Sequence, residues 1–294
     1  MKKKIRERRN TRMKVAVTGA GGYIGRHVVK SLLKQGHEVI AIDFVTEGID
    51  ERAEIANVSI FSGEDDIYKQ LGCPDCVIHL AWKDGFVHNS NEHMDNLSSH
   101  YLFLRNLVDA GCKNIAVMGT MHEIGFYEGK IDENTPCNPL SQYGIAKNAL
   151  RQALLNYTED KDVNVYWLRA YYILGDDRKN NSIFAKILQA VDEGKKEFPF
   201  TTGKNQYDFI SVDELAEQIA AASTQNKYTG IINVCSGKPL SLGERVEQFI
   251  KDNNLDITLK YGVFPERSYD SKIEYGDNTV IGKIMAQEYR GDQL

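Results

Sequence analysis

Short apolar runs alternate with amphipathic stretches along most of this chain. Val15-Ala16-Val17-Thr18, Glu38-Val39-Ile40-Ala41-Ile42, Val77-Ile78-His79-Leu80-Ala81 and Asn114-Ile115-Ala116-Val117-Met118-Gly119 are the clearest runs. Few polar positions interrupt them, as in strands of a parallel sheet covered on both faces. After the first run, Ile24, Val28, Val29, Leu32 and Leu33 recur at helical spacing, and Gly36 closes the segment. A long helix is expected from about Asn96 to Ala110, ended by Gly111, and another through Ala149, Leu150, Ala153 and Leu154. Weaker signals give a strand at Val58-Ser59-Ile60-Phe61 and a helix around Ile67 to Leu71. Alternation of this kind predicts an α/β protein built on a doubly wound parallel sheet.

The turn after the first strand gives that sheet a chemical reading. Thr18-Gly19-Ala20-Gly21-Gly22-Tyr23-Ile24-Gly25 has the form T-G-x-x-G-x-x-G, one residue longer between its first glycines than G-x-G-x-x-G. Strand, glycine turn and amphipathic helix together make a dinucleotide grip of the Rossmann type. Gly19 allows the turn, Gly22 lets backbone approach a pyrophosphate, and Gly25 lets the helix press on the strand. Amides at the helix start, around Tyr23 and Ile24, then face the phosphates. Asp43 closes the second strand about 20 residues further on, where an acid binds the adenosine ribose hydroxyls. Its charge repels a ribose phosphate, which favours NAD and leaves NADP as the alternative. Ligands in such sheets lie beyond the carboxyl ends of the strands, so Leu80 and Ala81 join the cofactor-binding candidates. His79 is expected to be a structural histidine.

Composition narrows the partners. A chain of 294 residues with formal net charge −5 and pI near 5.9 is long enough for a Rossmann core with a smaller lobe, and it implies no nucleic-acid partner. The one basic segment, residues 1–12, is expected to be a disordered tail outside the fold. No apolar run reaches membrane-span length and no secretory segment is evident, so a cytoplasmic protein with no membrane partner is expected. Five cysteines, Cys73, Cys76, Cys112, Cys137 and Cys235, suit reduced thiols. Cys73-Pro74-Asp75-Cys76 has metal or redox spacing but no second pair, so no metal is expected.

The chemistry centres on Thr120, Tyr143 and Lys147. Tyr143 and Lys147 stand four apart at the start of an apolar-periodic helix, on one face. A phenol with a pKa near 10 is a poor base at neutral pH. An ammonium one turn away and a positive nicotinamide ring are expected to lower it, while Thr120 at the end of its strand holds the substrate oxygen. Lys147 also reaches the cofactor ribose.

Together, Thr18-Gly19-x-x-Gly22-x-x-Gly25, Asp43, His79-Leu80-Ala81, Thr120 with Gly125, and Tyr143-x-x-x-Lys147 resemble the extended short-chain dehydrogenase/reductase family. The likeness runs from Met13 onward and is to its nucleotide-sugar epimerases, dehydratases and ketoreductases. Trp167 to Gly175, Asp208 to Asp213 and the return strand near residues 231–235 are similar to later segments of that family. The resemblance implies a nucleotide-sugar substrate and a core over residues 13–174, with residues 175–294 mainly forming a substrate-binding lobe. It also implies a homodimer through the helices at Asn96–Ala110 and Tyr143–Leu155. Tyr172 stands where the family usually has a substrate-contacting Asn. Asn181 and Ser182 open a helix, by capping it or by binding phosphate, and Arg267 is either a diphosphate clamp or a surface residue. Met121-His122 replaces the Asp-Glu pair of the dehydratases, so 4,6-dehydration is not expected, although His122 or Glu123 is open as a substitute. The activity this implies is reduction of a 4-keto group on a nucleotide-linked deoxysugar. A 4-epimerase with retained NAD and a non-catalytic NAD-sensing regulator are the alternatives.

Overall fold

The computed structural model describes residues 12–175, 182–265 and 271–291. The predicted tail thus lies outside the described residues except for Arg12, as do Asn181 and Arg267.

In chain order the first half runs β1 (Lys14–Thr18), α1 (Gly25–Lys34), β2 (Glu38–Ile42), β3 (Glu54–Ile55), α2 (Ile67–Gln70), β4 (Cys76–His79), α3 (Glu92–Asp95), α4 (Leu97–Asp109) and β5 (Asn114–Thr120). After a single 3-10 turn, Met121–Glu123, come β6 (Gly129–Ile131), α5 (Gln142–Thr158), β7 (Asn164–Ala170) and β8 (Tyr172–Leu174). The remainder is α6 (Ile183–Asp192), β9 (Glu197–Pro199), β10 (Gln206–Ser211), α7 (Val212–Ser223), β11 (Gly230–Val234), β12 (Pro239–Ser241), α8 (Leu242–Asp252), β13 (Thr258–Lys260), β14 (Ile273–Gly276) and α9 (Thr279–Gly291).

Seven strands in the order β11-β7-β5-β4-β1-β2-β3, all parallel, form the central sheet. Chain direction across the sheet reverses between β1 and β4, and at such a switch point a crevice opens beyond the strand ends. Both faces are apolar because alternate residues of one strand serve different layers. Val15 and Val17 pack with Val28, Val29 and Leu32 of α1 and with Leu215 and Ile219 of α7. Ala16 and Val77 pack with Phe103, Leu104 and Leu107 of α4 and with Leu150 and Leu154 of α5.

A second sheet, in the order β12-β10-β14-β6 with β8 paired to β10, stands beyond the carboxyl ends of β5 and β7, and β9 pairs with β13 separately. The return strand expected near residues 231–235 is β11, in register with β7 from Gly230↔Tyr166 to Val234↔Ala170. One expectation fails: Val58–Phe61 is not a strand, and the sheet edge is the two-residue β3 instead. Val58 and Ile60 pack as partly buried side chains against the α4 layer, so their alternation served burial without backbone pairing.

Candidate active site

The glycine turn closes the first wall of the crevice. Gly19 has φ +71°, and a Cβ there would lie 2.6 Å from the Ala81 nitrogen, so the turn and the Leu80-Ala81 segment are in direct backbone contact. A Cβ on Gly25 would fall 2.0 Å from the Gly19 carbonyl oxygen, which is the helix-on-strand approach expected of it. Gly22 differs: only Gly19 O, at 3.1 Å, would meet its Cβ, and the space before it is open. α1 starts from Ile24, whose side chain offers no capping hydrogen bond. Open space, an uncapped helix start and the Asp43 carboxylate within one loop suit a dinucleotide diphosphate and ribose. Both Asp43 oxygens also brace the loop, accepting from Gly21 N–H at 3.0 Å and Val45 N–H at 3.1 Å. The role of Gly21 escaped the sequence reading: a Cβ there would lie 1.8 Å from Val45 O. Tyr23 reaches the other way, its hydroxyl donating to Gly175 O at 2.5 Å.

Opposite stands the chemical group. Thr120 ends β5 and caps the 3-10 turn, its hydroxyl oxygen accepting His122 N–H at 3.3 Å, and it stands beside the Tyr143 phenol. Tyr143 and Lys147 come from the first turns of α5, which Ser141 caps by accepting Gly144 N–H at 3.2 Å. Lys147 is buried and donates from Nζ to Met118 O at 2.7 Å. The expected lowering of the tyrosine pKa is not found in the chain alone. Loss of water around it pushes the Tyr143 phenol up, the neighbouring Thr120 hydroxyl opposes this, and the Glu123 charge adds to it. Lys147 is itself lowered to about 7 by burial, and its Nζ is 5.9 Å from the Tyr143 ring centre. The phenol therefore holds its proton, as a proton donor requires.

Residues 82–93, mostly loop up to the start of α3, pack around this group. Tyr143 N–H donates to His88 O at 2.9 Å and Gln142 N–H to Asn89 Oδ1 at 3.2 Å, tying the loop to the start of α5. Around the Tyr143 ring stand Trp82 at 6.2 Å, His88 at 5.7 Å, His93 at 5.3 Å and His122 at 6.0 Å between centroids. No group of described residues is arranged to hold a metal ion. His79, buried in β4, shares hydrogen bonds of 2.8 Å with Thr18 and with His100, as its structural assignment requires.

Glu123 answers the question left open about dehydration. Its side chain is wholly buried: Thr120 N–H donates to Oε1 at 2.7 Å, and Trp167 Nε1–H donates to Oε1 at 2.9 Å and to Oε2 at 3.1 Å. Arg151 and Arg169 pair with Oε2 at 3.4 and 3.5 Å. A carboxylate enclosed this way buttresses Thr120 from behind and is not presented to a substrate. Thr120-x-x-Glu123 is a capping box, and that spacing could have revealed it in the sequence.

Tyr172 belongs to the second sheet, its hydroxyl donating to Glu274 Oε1 at 3.3 Å and its ring 4.5 Å from that of Tyr207. Ser182 caps α6 by accepting Ala185 N–H at 3.2 Å. Cys76 is a buried strand thiol and Cys73 is exposed, so the C-x-x-C pair does not converge.

The buried His100 and the half-buried His122 carry an acid-stability prediction. Burial lowers His100 to about 3 and His122 to about 4, against 6.5 for each in the unfolded chain. Folded-state values below the unfolded ones mean that the unfolded chain takes up protons first as pH falls. Stability is full above pH 6.5 and drops below it, by about 1.4 kcal/mol per pH unit for each imidazole. Urea midpoints at pH 7.0 and pH 5.0 should differ in that direction (about 2 units of pH); equal midpoints would overturn the assignment.

A Rossmann sheet with this glycine turn and a Thr-Tyr-Lys group at its switch point defines a nucleotide-cofactor oxidoreductase of the short-chain type. The chain belongs to the NAD dependent epimerase/dehydratase family, which it matches over residues 15–235. A dTDP-6-deoxy-L-talose 4-dehydrogenase (NAD(+)) of Aggregatibacter actinomycetemcomitans is 48% identical over 271 residues, spanning 90% of this chain and 99% of that one. The fold is shared with the UDP-N-acetylglucosamine 4-epimerase of Methanobrevibacter ruminantium M1, at TM-score 0.80 and 23% identity, covering 93% of this chain and 92% of that one. It is also shared with the Thermus thermophilus UDP-glucose 4-epimerase in complex with NAD, at TM-score 0.77 and 22% identity, covering 95% and 94%.

Proposed function

We propose that this chain is an NAD-dependent oxidoreductase acting at the 4-position of a nucleotide-linked deoxysugar, reducing a 4-keto group. The observation that carries this reading is a half-buried Tyr143 whose phenol keeps its proton, set beside Thr120 and one turn from Lys147, within a chain 48% identical to a nucleotide-deoxysugar 4-dehydrogenase. The nicotinamide cofactor, when bound, supplies or accepts the hydride. Tyr143 gives its proton to the carbonyl oxygen as that oxygen gains charge, and Thr120 orients the oxygen by hydrogen bonding. Lys147 places a positive charge behind the phenol and steadies the phenolate left after transfer. Gly19, Gly22, Tyr23, Ile24, Gly25, Asp43, Leu80 and Ala81 would hold the cofactor, with residues 13–174 and the return strand as its core and residues 175–294 mainly serving the substrate. The enclosure of Glu123 and the lack of a carboxylate at positions 121 and 122 support reduction rather than loss of water.

We also assign the α4 and α5 faces to a homodimer contact and the protein to the cytoplasm. No helix among the described residues is long and apolar enough to cross a membrane. A panel of dTDP-, GDP-, CDP- and UDP-linked 4-keto sugars tests the reading: NADH absorbance should fall in step with product. A 4-epimerase would interconvert sugars with no net absorbance change, and a non-catalytic sensor would bind NAD without turnover.

Cofactor choice follows from charge. Two unit charges at ~4 Å repel by about 1 kcal/mol in water and about 4 kcal/mol near a protein surface. Asp43→Asn is therefore expected to raise the ratio of NADPH to NADH kcat/KM roughly tenfold or more. An unchanged ratio would remove Asp43 from the ribose site.

A further inference from the structure

Lys147 is 2% exposed, and among the described residues its one hydrogen bond goes to Met118 O. An ammonium has three N–H donors and a large hydration energy to replace, so a single carbonyl does not compensate its burial. What covers the rest is the face of Trp82, whose ring centroid is 3.7 Å from Nζ. The indole has little freedom there. It also stacks on His100 with centroids 4.3 Å apart and planes 13° apart, and Nε1–H donates to His93 Nδ1 at 3.0 Å. That bond leaves the His93 proton on Nε2, which donates to Val87 O at 2.9 Å. His100 is in turn held by His79 at 2.8 Å. Because burial keeps His100 neutral, no second cation competes for the indole.

We propose that Trp82 is a positioning residue for Lys147: its face holds the lysine side chain beside Tyr143 and keeps it in the ammonium form. Charge on a desolvated amine is favoured by the negative face of an aromatic ring, most strongly by tryptophan. Among the other groups facing Lys147, only Glu123 on the 3-10 turn favours the cation, from a distance and while shared between two arginines; Tyr143 on α5 is protonated, and His79 on β4 and His100 on α4 are neutral. Burial draws Lys147 down to about 7, so any stabilisation of the cation changes its charge at working pH. The catalytic side of this inference rests on the oxidoreductase reading, but the titration itself does not.

The test is heteronuclear NMR of the full chain labelled at lysine Cε, with the Lys147 signal assigned by its loss in Lys147→Arg. Leucine and phenylalanine both exclude water at position 82, and only phenylalanine keeps an aromatic face. The Lys147 midpoint should fall by about one pH unit in Trp82→Leu and by about half that in Trp82→Phe. Equal midpoints in the two variants, or a leucine midpoint at or above the native one, would overturn the proposal. Should the leucine chain fail to fold, the phenylalanine chain decides it alone: a midpoint below the native value supports the role, and one at or above it refutes it. The alkaline limb of kcat should move with the same order among variants. If the native chain turns over none of the 4-keto sugars, the functional reading fails while the titration still judges Trp82.

Discussion

Tyr143→Phe should leave the chain folded and able to bind NADH while kcat for the 4-keto sugar falls by about 10² to 10⁴, the usual contribution of a positioned proton donor. The substitution removes one oxygen from a ring whose surroundings are otherwise intact. His88, His93 and Trp82 still enclose it, and its backbone N–H still donates to His88 O. KM should change little, because the proton moves only as the carbonyl oxygen gains charge. Thr120 keeps its capping role in that variant and continues to hold the substrate oxygen, so residual turnover above the uncatalysed rate is expected. Stopped-flow single turnover separates a slow chemical step from slow release, and NADH fluorescence measures binding independently. A kcat within tenfold of native would assign the proton to another group, with His122 the next to test by its position 6.0 Å from the ring.

How much of this was legible beforehand depends on the range of the interaction. The glycine turn, Asp43 and the Tyr143-Lys147 pair are local patterns: their meaning lies in spacing along one strand, turn or helix, and the structure brings them to one end of the sheet as that spacing implies. Trp82 and the histidines of residues 82–93 carried no such signal. Their order comes from contacts with α4 and α5, remote in sequence and specified by packing rather than by periodicity. The electrostatics of Tyr143 misled for a related reason. Spacing puts a lysine one turn away, but it does not say that both groups lose water, and that desolvation is the largest influence on each. Val58–Phe61 shows the limit for strands, since alternation that fits a sheet also fits a loop lying on a helix layer.

Glu123 poses the complementary case, a residue whose removal should damage the fold more than any other single change near the site. Arg169 is wholly buried and Arg151 nearly so, and both pair with the same carboxylate oxygen. Glu123→Gln keeps an acceptor for the Thr120 amide and nearly the same volume, so packing and capping change little. What it removes is the only negative partner described for two buried guanidinium groups, and its amide nitrogen adds a donor facing Trp167 Nε1–H. Breaking a buried pair on one side costs about 3–5 kcal/mol, because the remaining charge stays desolvated and unmatched. Urea unfolding should therefore show a lowered midpoint at unchanged slope, their product falling by that amount. Exchanging Arg151 for Met in the Gln variant should recover part of the loss, since one stranded charge leaves with it. A loss below about 1 kcal/mol would mean that water or another group already serves the arginines.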